Sequence, residues 1–327
     1  MRSRVIMVLA VMAVLLGTGL LVPTAYAKLA GDDPTGGTGG GTAEKVPAPA
    51  PTAPPAPTLA AAPVSVTFKG EFFAWALQDR KTGQVSGSKN MTSTSSTESM
   101  LKVWIVSDFL RELGDEKPAA SMLKLASLAI RDSDDDATNK LYAKAGGSYR
   151  ALDNGQPGPV LKRAITICGL KDTKPGNVPG YEGWWSFTRM SPRDAARLGD
   201  CVADGKAAGP HWTKWVLNEM AQVRGSVGKQ LARSGGGRWG IIDGLPDEIT
   251  KQGPVAMKNG WTPLSYDSNW HVNCLAVTDK WSLAVMMRYS IRQPLSYGAK
   301  VCASVATQLV TPQPGAALKV PQPLGKL

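Results

Sequence analysis

The sequence predicts an α/β chain of the α+β kind, in which one antiparallel sheet is built from the two ends of a domain and helices flank it. Three observations carry that expectation. Strand-like alternation recurs near the start and near the end of the domain, while helical periodicity fills the stretch between. At 327 residues with 43% apolar content, the chain can bury a full core. Ten Trp and 35 Gly suit a mixed fold better than a helical bundle.

Before the domain come two segments of different character. Met1-Arg2-Ser3-Arg4, an apolar run from Val5 to Val22 and Pro23-Thr24-Ala25-Tyr26-Ala27 form the three regions of a secretory signal over 1–27. Cleavage is expected after Ala27, with an uncleaved membrane anchor as the alternative. Residues 28–63 are almost wholly Gly, Pro, Ala and Thr and read as a disordered linker. The folded domain is expected over 64–311, followed by a Pro-rich tail over 312–327. The domain thus leaves the cytoplasm, secreted or associated with the cell envelope.

Within the domain, Val64 to Asp79 alternates and is rich in aromatics, which predicts a strand. Arg80-Lys81-Thr82-Gly83 is a turn, and Gln84 to Ser88 the start of its partner. Helices are expected over Ser99 to Leu113 and Ala119 to Ala145, the second with Ser133 in its middle. Ser191 as N-cap and Pro192 at the first helical position start another that runs to about Ala203. Trp212 to Val223 is a further helix. Strands follow over Pro254 to Gly260, Trp270 to Thr278 and Trp281 to Tyr289, and a last helix over Tyr297 to Leu309.

Composition bounds the function. The net charge of +11 points to an anionic environment. No basic stripe interleaved with aromatics and no zinc-finger or RRM signature accompanies it, so an acidic envelope polymer is at least as good a reading as nucleic acid, with general solubility as the plain alternative. Cys168, Cys201, Cys274 and Cys302 make an even count in an exported chain, which predicts two disulfides. Sequential pairing links a loop to a helix and a strand to the last helix. With no C-x-x-C and only His211 and His271, no metal site is expected, nor any cofactor.

Two histidines and no G-x-S-x-G elbow also argue against a Ser-His-Asp triad. A Ser-Lys route remains. In Glu98-Ser99-Met100-Leu101-Lys102, positions i and i+3 of a helix share a face, so Ser99 can be a nucleophile with Lys102 as its base. That spacing is common by chance, and Ser121-Met122-Leu123-Lys124 repeats it. A second hydroxyl to pass a proton and a second cation to lower the lysine pKa are needed, and Ser133 and Lys258 fit those roles.

Ser133-Asp134-Asp135-Asp136-Ala137-Thr138-Asn139 and Lys258-Asn259-Gly260-Trp261, in order after Ser99 and Lys102, resemble the serine β-lactamase and penicillin-binding DD-peptidase superfamily, especially its class A branch. That family carries S-x-x-K, then S-D-N with T-A-x-N, then K-T-G. The helix start Met190-Ser191-Pro192-Arg193-Asp194 and Gly244-Leu245-Pro246 before Val255-Ala256-Met257-Lys258 extend the likeness, which covers about 66–310. The resemblance implies a Ser99 nucleophile, a Lys102 base, proton transfer through Ser133 and Lys258, and an oxyanion hole from the backbone N–H groups of Ser99 and Trp261. Asp135, Asn259 and Gly260 would bind substrate. Lys81-Thr82-Gly83, a literal K-T-G, lies in the first hairpin turn and is a decoy. So is the second S-x-x-K, which runs into Ser133 on one helical stretch.

Departures from the family pattern matter. Asp135 stands where the family has Asn; a carboxylate cannot donate to a substrate carbonyl, and it raises the pKa of a neighbouring lysine. Asn259 replaces Thr or Ser, with an amide NH₂ still able to donate. Only 34 residues separate Ser99 from Ser133, which implies a reduced helical subdomain and a more open site. The deacylating Glu of class A has no counterpart at its expected place; Glu182 is the nearest carboxylate. The expected function is therefore an exported serine hydrolase or acyl-transferase acting on β-lactams or peptidoglycan peptides, with slow β-lactam turnover, as a monomer without nucleic acid. The alternative is a catalytically impaired module that binds peptidoglycan or an anionic wall polymer.

Overall fold

A computed structural model describes residues 64–148, 156–230 and 237–309. The signal segment, the linker and the Pro-rich tail lie outside them. The sheet strands are β1 (Phe72–Asp79), β2 (Val85–Gly87), β5 (Ala256–Met257), β6 (Gly260–Leu264), β7 (Asn269–Val277) and β8 (Trp281–Ser290); β3 (Ser95–Ser96) and β4 (Arg189–Met190) form a separate two-stranded ribbon. The order is β2-β1-β8-β7-β5, with β6 also on β7, and every pairing is antiparallel. The two ends of the domain thus meet at the β1–β8 ladder, where Phe72 lies opposite Arg288 and Asp79 opposite Trp281.

The helices are α1 (Lys102–Leu113), α2 (Ala120–Arg131), α3 (Asp135–Lys144), α4 (Pro159–Cys168), α5 (Pro192–Ala203), α6 (Gly209–Ala221), the single turns α7 (Val227–Gln230) and α8 (Asp247–Thr250), and α9 (Leu295–Leu309). Every residue of β7 is buried, because both faces of the sheet are covered. Successive strand side chains point to opposite faces. Cys274 bonds to Cys302 of α9, while its neighbour Leu275 packs at Gly199 of α5, so α9 and α5 lie on opposite faces.

Several expectations need correction. The first strand begins at Phe72, not Val64. The long helix over Ala119 to Ala145 is broken: α2 ends at Arg131, Ser133 takes a left-handed φ of 55°, and Asp134 caps α3 by accepting from the Ala137 N–H at 2.7 Å. Three polar residues, Asp132-Ser133-Asp134, compete with the backbone for hydrogen bonds and stop the helix there. Cys168 is the last residue of the helix α4 rather than part of the expected loop, and it bonds to Cys201 of α5. Both disulfides pair as expected.

The strand expected to end at Gly260 instead continues to Leu264. Its register does not change across the break at Lys258 and Asn259: Met257 faces Ala276, the Lys258 N–H donates to Leu275 O at 2.9 Å, and Gly260 faces Asn273. The Ser191 N-cap is present, its hydroxyl accepting from the Asp194 N–H at 3.1 Å. Among the described residues no helix is long and apolar enough to cross a membrane.

Candidate active site

Ser99 lies in a 3₁₀ turn, Glu98–Leu101, that runs directly into α1. The turn is wedged against the start of β6. A Cβ on Gly260 would sit 2.5 Å from Met100 N and Thr97 O and 2.8 Å from Ser99 N. No residue but glycine allows the edge strand this close to the Ser99 amide.

The first turn of α1 places Lys102 fully inside the protein. Its ammonium donates to Ser133 O, to Ser133 Oγ at 3.3 Å and to Asp135 Oδ1 at 2.5 Å, and it lies 5.3 Å from the centre of the Trp185 ring. Lys258, also fully buried, donates to Ser133 Oγ at 2.9 Å and to Asn259 O at 2.9 Å. Three segments that the sequence separates therefore meet at one hydroxyl. The left-handed backbone at Ser133 supports this, since it turns both the carbonyl and the side chain of one residue toward Lys102.

The electrostatics follow from burial. Desolvation lowers the Lys102 pKa, opposed by the Asp135 carboxylate. Lys258 is lowered much further, by desolvation first and then by the charge of Lys102, with Asp135 acting the other way. A neutral amine thus costs least at Lys258, and Asp135 favours the ammonium form of Lys102. The Lys102 backbone N–H donates to Ser99 O, but among the described residues no hydrogen bond joins the two side chains, and the Lys102 Nζ is turned to Ser133 and Asp135.

The cleft above these groups has a volume of about 640 Å³. Ser99, Ser133, Asp135 and Trp261 line it, as do Glu98, Thr262 and the aromatic rings of Tyr181, Trp184, Trp185 and Tyr266. Asn259 does not. Its side chain is fully buried and both N–H groups donate inward, to Gly237 O and Trp239 O at 2.8 Å each. The expectation that its amide would hold a substrate is corrected by this: strand alternation sends Asn259 away from the side on which Lys258 meets Ser133. Glu182 is exposed and not on the cleft wall. The decoy turn at Lys81-Thr82-Gly83 joins β1 to β2, and the second S-x-x-K lies within α2.

Sequence reasoning missed a buried polar line beside Ser99. Ser96 Oγ donates to Glu98 Oε1 at 2.6 Å and lies 2.6 Å from His271 Nδ1; His271 Nε2 lies 2.8 Å from Asp267 Oδ2. Burial raises the Glu98 pKa to about 7, against the pull of hydrogen bonds from Ser96 and Thr262. The dipeptide Glu98-Ser99 was visible in the sequence, but nothing in it joins 96 to 271. Among the described residues no group of three or more His, Cys, Asp or Glu is arranged to hold a metal ion.

Neither a protein-family model nor a curated protein matches the chain. Solved structures do. PBP-A superposes with a TM-score of 0.51 at 14% identity, over 74% of this chain and 89% of its own. The TLA-1 extended spectrum β-lactamase gives 0.55 at 12%, over 73% and 92%. A β-lactamase from Desulfarculus baarsii gives 0.51 at 15%, over 76% and 93%. At these identities the likeness shows the fold, which is that of the serine β-lactamase and DD-peptidase superfamily.

Proposed function

We propose that this chain, on the serine β-lactamase/DD-peptidase fold, is an exported serine hydrolase or acyl-transferase acting on β-lactams or peptidoglycan peptides. The observation that carries the reading is the Ser133 hydroxyl held between two buried lysine amines in the cleft that Ser99 lines. Ser99 Oγ attacks the carbonyl carbon of the substrate, and its proton passes to Lys102 in its neutral form. The oxyanion is held by the N–H groups of Ser99 and Trp261, which Gly260 brings together. The leaving nitrogen takes its proton from Ser133, replenished by Lys258 or Lys102. Two disulfides support an oxidising compartment and hence export of the domain over 64–311.

Incubation of the secreted chain with a fluorescent penicillin tests this. Covalent label that is lost in Ser99→Ala is the expected result; no label on the native chain overturns the reading.

A second reading has its own observation. Lys102 is paired with Asp135, and Asn259 is committed to the interior, which favours a non-catalytic module binding peptidoglycan or an anionic wall polymer. Its mark is stoichiometric binding that survives Ser99→Ala and falls steeply with salt.

A further inference from the structure

The line from Glu98 to Asp267 is not used by the acylation chemistry above, yet one end of it is the residue before Ser99 and lines the same cleft. Ser96 and His271 line a second cavity of about 440 Å³, which shares Tyr181, Phe187 and Tyr266 with the first. The line therefore connects the reaction cleft to a neighbouring opening through protein. We propose that Glu98 is the general base that hydrolyses the acyl-Ser99 ester, with Ser96 and His271 as the relay that sets its charge; the proposal rests on the acylation of Ser99.

Three features of the geometry support it. Glu98 has a φ of 49°, one of three non-glycine residues in the left-handed region among those described, and Ser133 of the same cleft is another. Such a conformation costs of order 1 kcal/mol or more and persists where surroundings impose it, often at working sites. Here it sets a buried glutamate, only 2% exposed, directly before the nucleophile in the chain and on the wall of the same cleft. Second, the Ser96 hydroxyl has one proton for two neighbours at 2.6 Å. When it donates to the Glu98 carboxylate, His271 must donate to it through Nδ1–H. When Glu98 is an acid and donates, Ser96 donates to an unprotonated Nδ1. Third, Nε2 faces the Asp267 carboxylate in both cases, so the first state holds an imidazolium and the second a neutral ring. One proton is thus shared between Glu98 and His271.

Other groups set the balance. Around Glu98 stand Ser96, Thr262 of β6, Asp135 of α3 and Asp267; around His271 stand Asp267, Arg288 of β8 and Glu71 ahead of β1. Burial lowers the His271 pKa, opposed by Asp267, and raises that of Glu98 to about 7, so burial disfavours the charged form at both ends of the line. Ser96 is not itself a second nucleophile, because the residue is buried and its hydroxyl is engaged with both Glu98 and His271.

The step is balanced. Water adds to the carbonyl carbon of the Ser99 ester as one of its protons passes to the Glu98 carboxylate. The tetrahedral adduct collapses, the bond from carbon to Ser99 Oγ breaks, and Glu98 returns the proton to Oγ. A carboxylic acid leaves and the free hydroxyl is restored.

The test uses the full chain and a fluorescent penicillin chased with unlabelled drug. The half-life of the label is read on the fraction that has reacted, so it does not depend on the acylation rate. Glu98→Gln is expected to lengthen it about tenfold or more and to flatten its pH dependence, whereas the native half-life shortens as pH rises through 7. Ser96→Ala is expected to shift that pH dependence. A native-like half-life and pH profile in Glu98→Gln overturns the proposal. No label on the native chain overturns the acylation itself, and the deacylation role falls with it. The relay has an independent readout, since the chain has only two histidines and ¹⁵N-imidazole spectra are simple to assign. The His271 titration is expected to move to lower pH in Glu98→Gln; an unmoved titration shows that no proton is shared.

Discussion

Asp135 Oδ1 lies 2.5 Å from the Lys102 ammonium, a contact between a carboxylate that is 74% exposed and an amine with no exposure at all. The partner in water can be removed without leaving a cavity. The partner inside cannot lose it without a change in its own charge. A carboxylate this close stabilises the ammonium form, and exposure to water reduces the effect well below its value in a buried pair.

Asp135→Asn is therefore expected to let Lys102 lose its proton at lower pH and to raise the rate of acylation by penicillin several-fold at neutral pH. The gain shrinks as pH rises, because Lys102 then loses its proton in both forms. Stopped-flow acylation across pH checks this, and equal rates throughout would remove Asp135 from the reaction.

Gly260→Ala tests the oxyanion site. A methyl group 2.5 Å from Met100 N and Thr97 O must push β6 off the Ser99 turn. Loss of one oxyanion donor costs about 100-fold or more. Labelling by penicillin is expected to fall by at least that much while thermal melting stays cooperative.

Glu98 makes stability depend on pH. Its pKa rises from 4.5 in the unfolded chain to about 7 in the fold, so the native state holds the extra proton between those values. Stability is greatest below about pH 4.5 as far as this group is concerned, and it falls as pH rises to about 7. Glu98→Gln removes that loss: its advantage over the native chain is expected to grow from about zero at pH 4 to about 3 kcal/mol at pH 8. Urea unfolding at the two pH values measures it, and a pH-independent difference would contradict the burial of an ionisable carboxyl.

The Cys274–Cys302 bond joins β7 to α9 across 28 residues, with both cysteines fully buried. In the chain-entropy model its loss costs about 3.5 kcal/mol. The double substitution of both cysteines by Ala is expected to lower the urea midpoint accordingly, and brief exposure to a mild reductant to leave this bond intact in the folded protein.

Local patterns determined much of this protein from the sequence alone. The Ser191 cap and Pro192 fix the start of α5 and apolar runs give β7 and β8, because each rests on neighbours in the chain or on a single period; the even cysteine count predicts two disulfides but leaves three pairings, among which the structure has the sequential one. The family resemblance likewise singled out Lys102, Ser133 and Lys258, which meet at one hydroxyl, and Ser99, which lines the same cleft. Their orientation was decided elsewhere. Whether Asn259 faces substrate or interior depends on the face that the edge strand presents once it pairs with β7, and whether Lys102 points to Ser99 or to Asp135 depends on where α3 begins. The relay from Glu98 to His271 was out of reach of the sequence for the same reason: 175 residues separate Ser96 from His271, and only the packing of the β3–β4 ribbon against the sheet closes that gap to 2.6 Å.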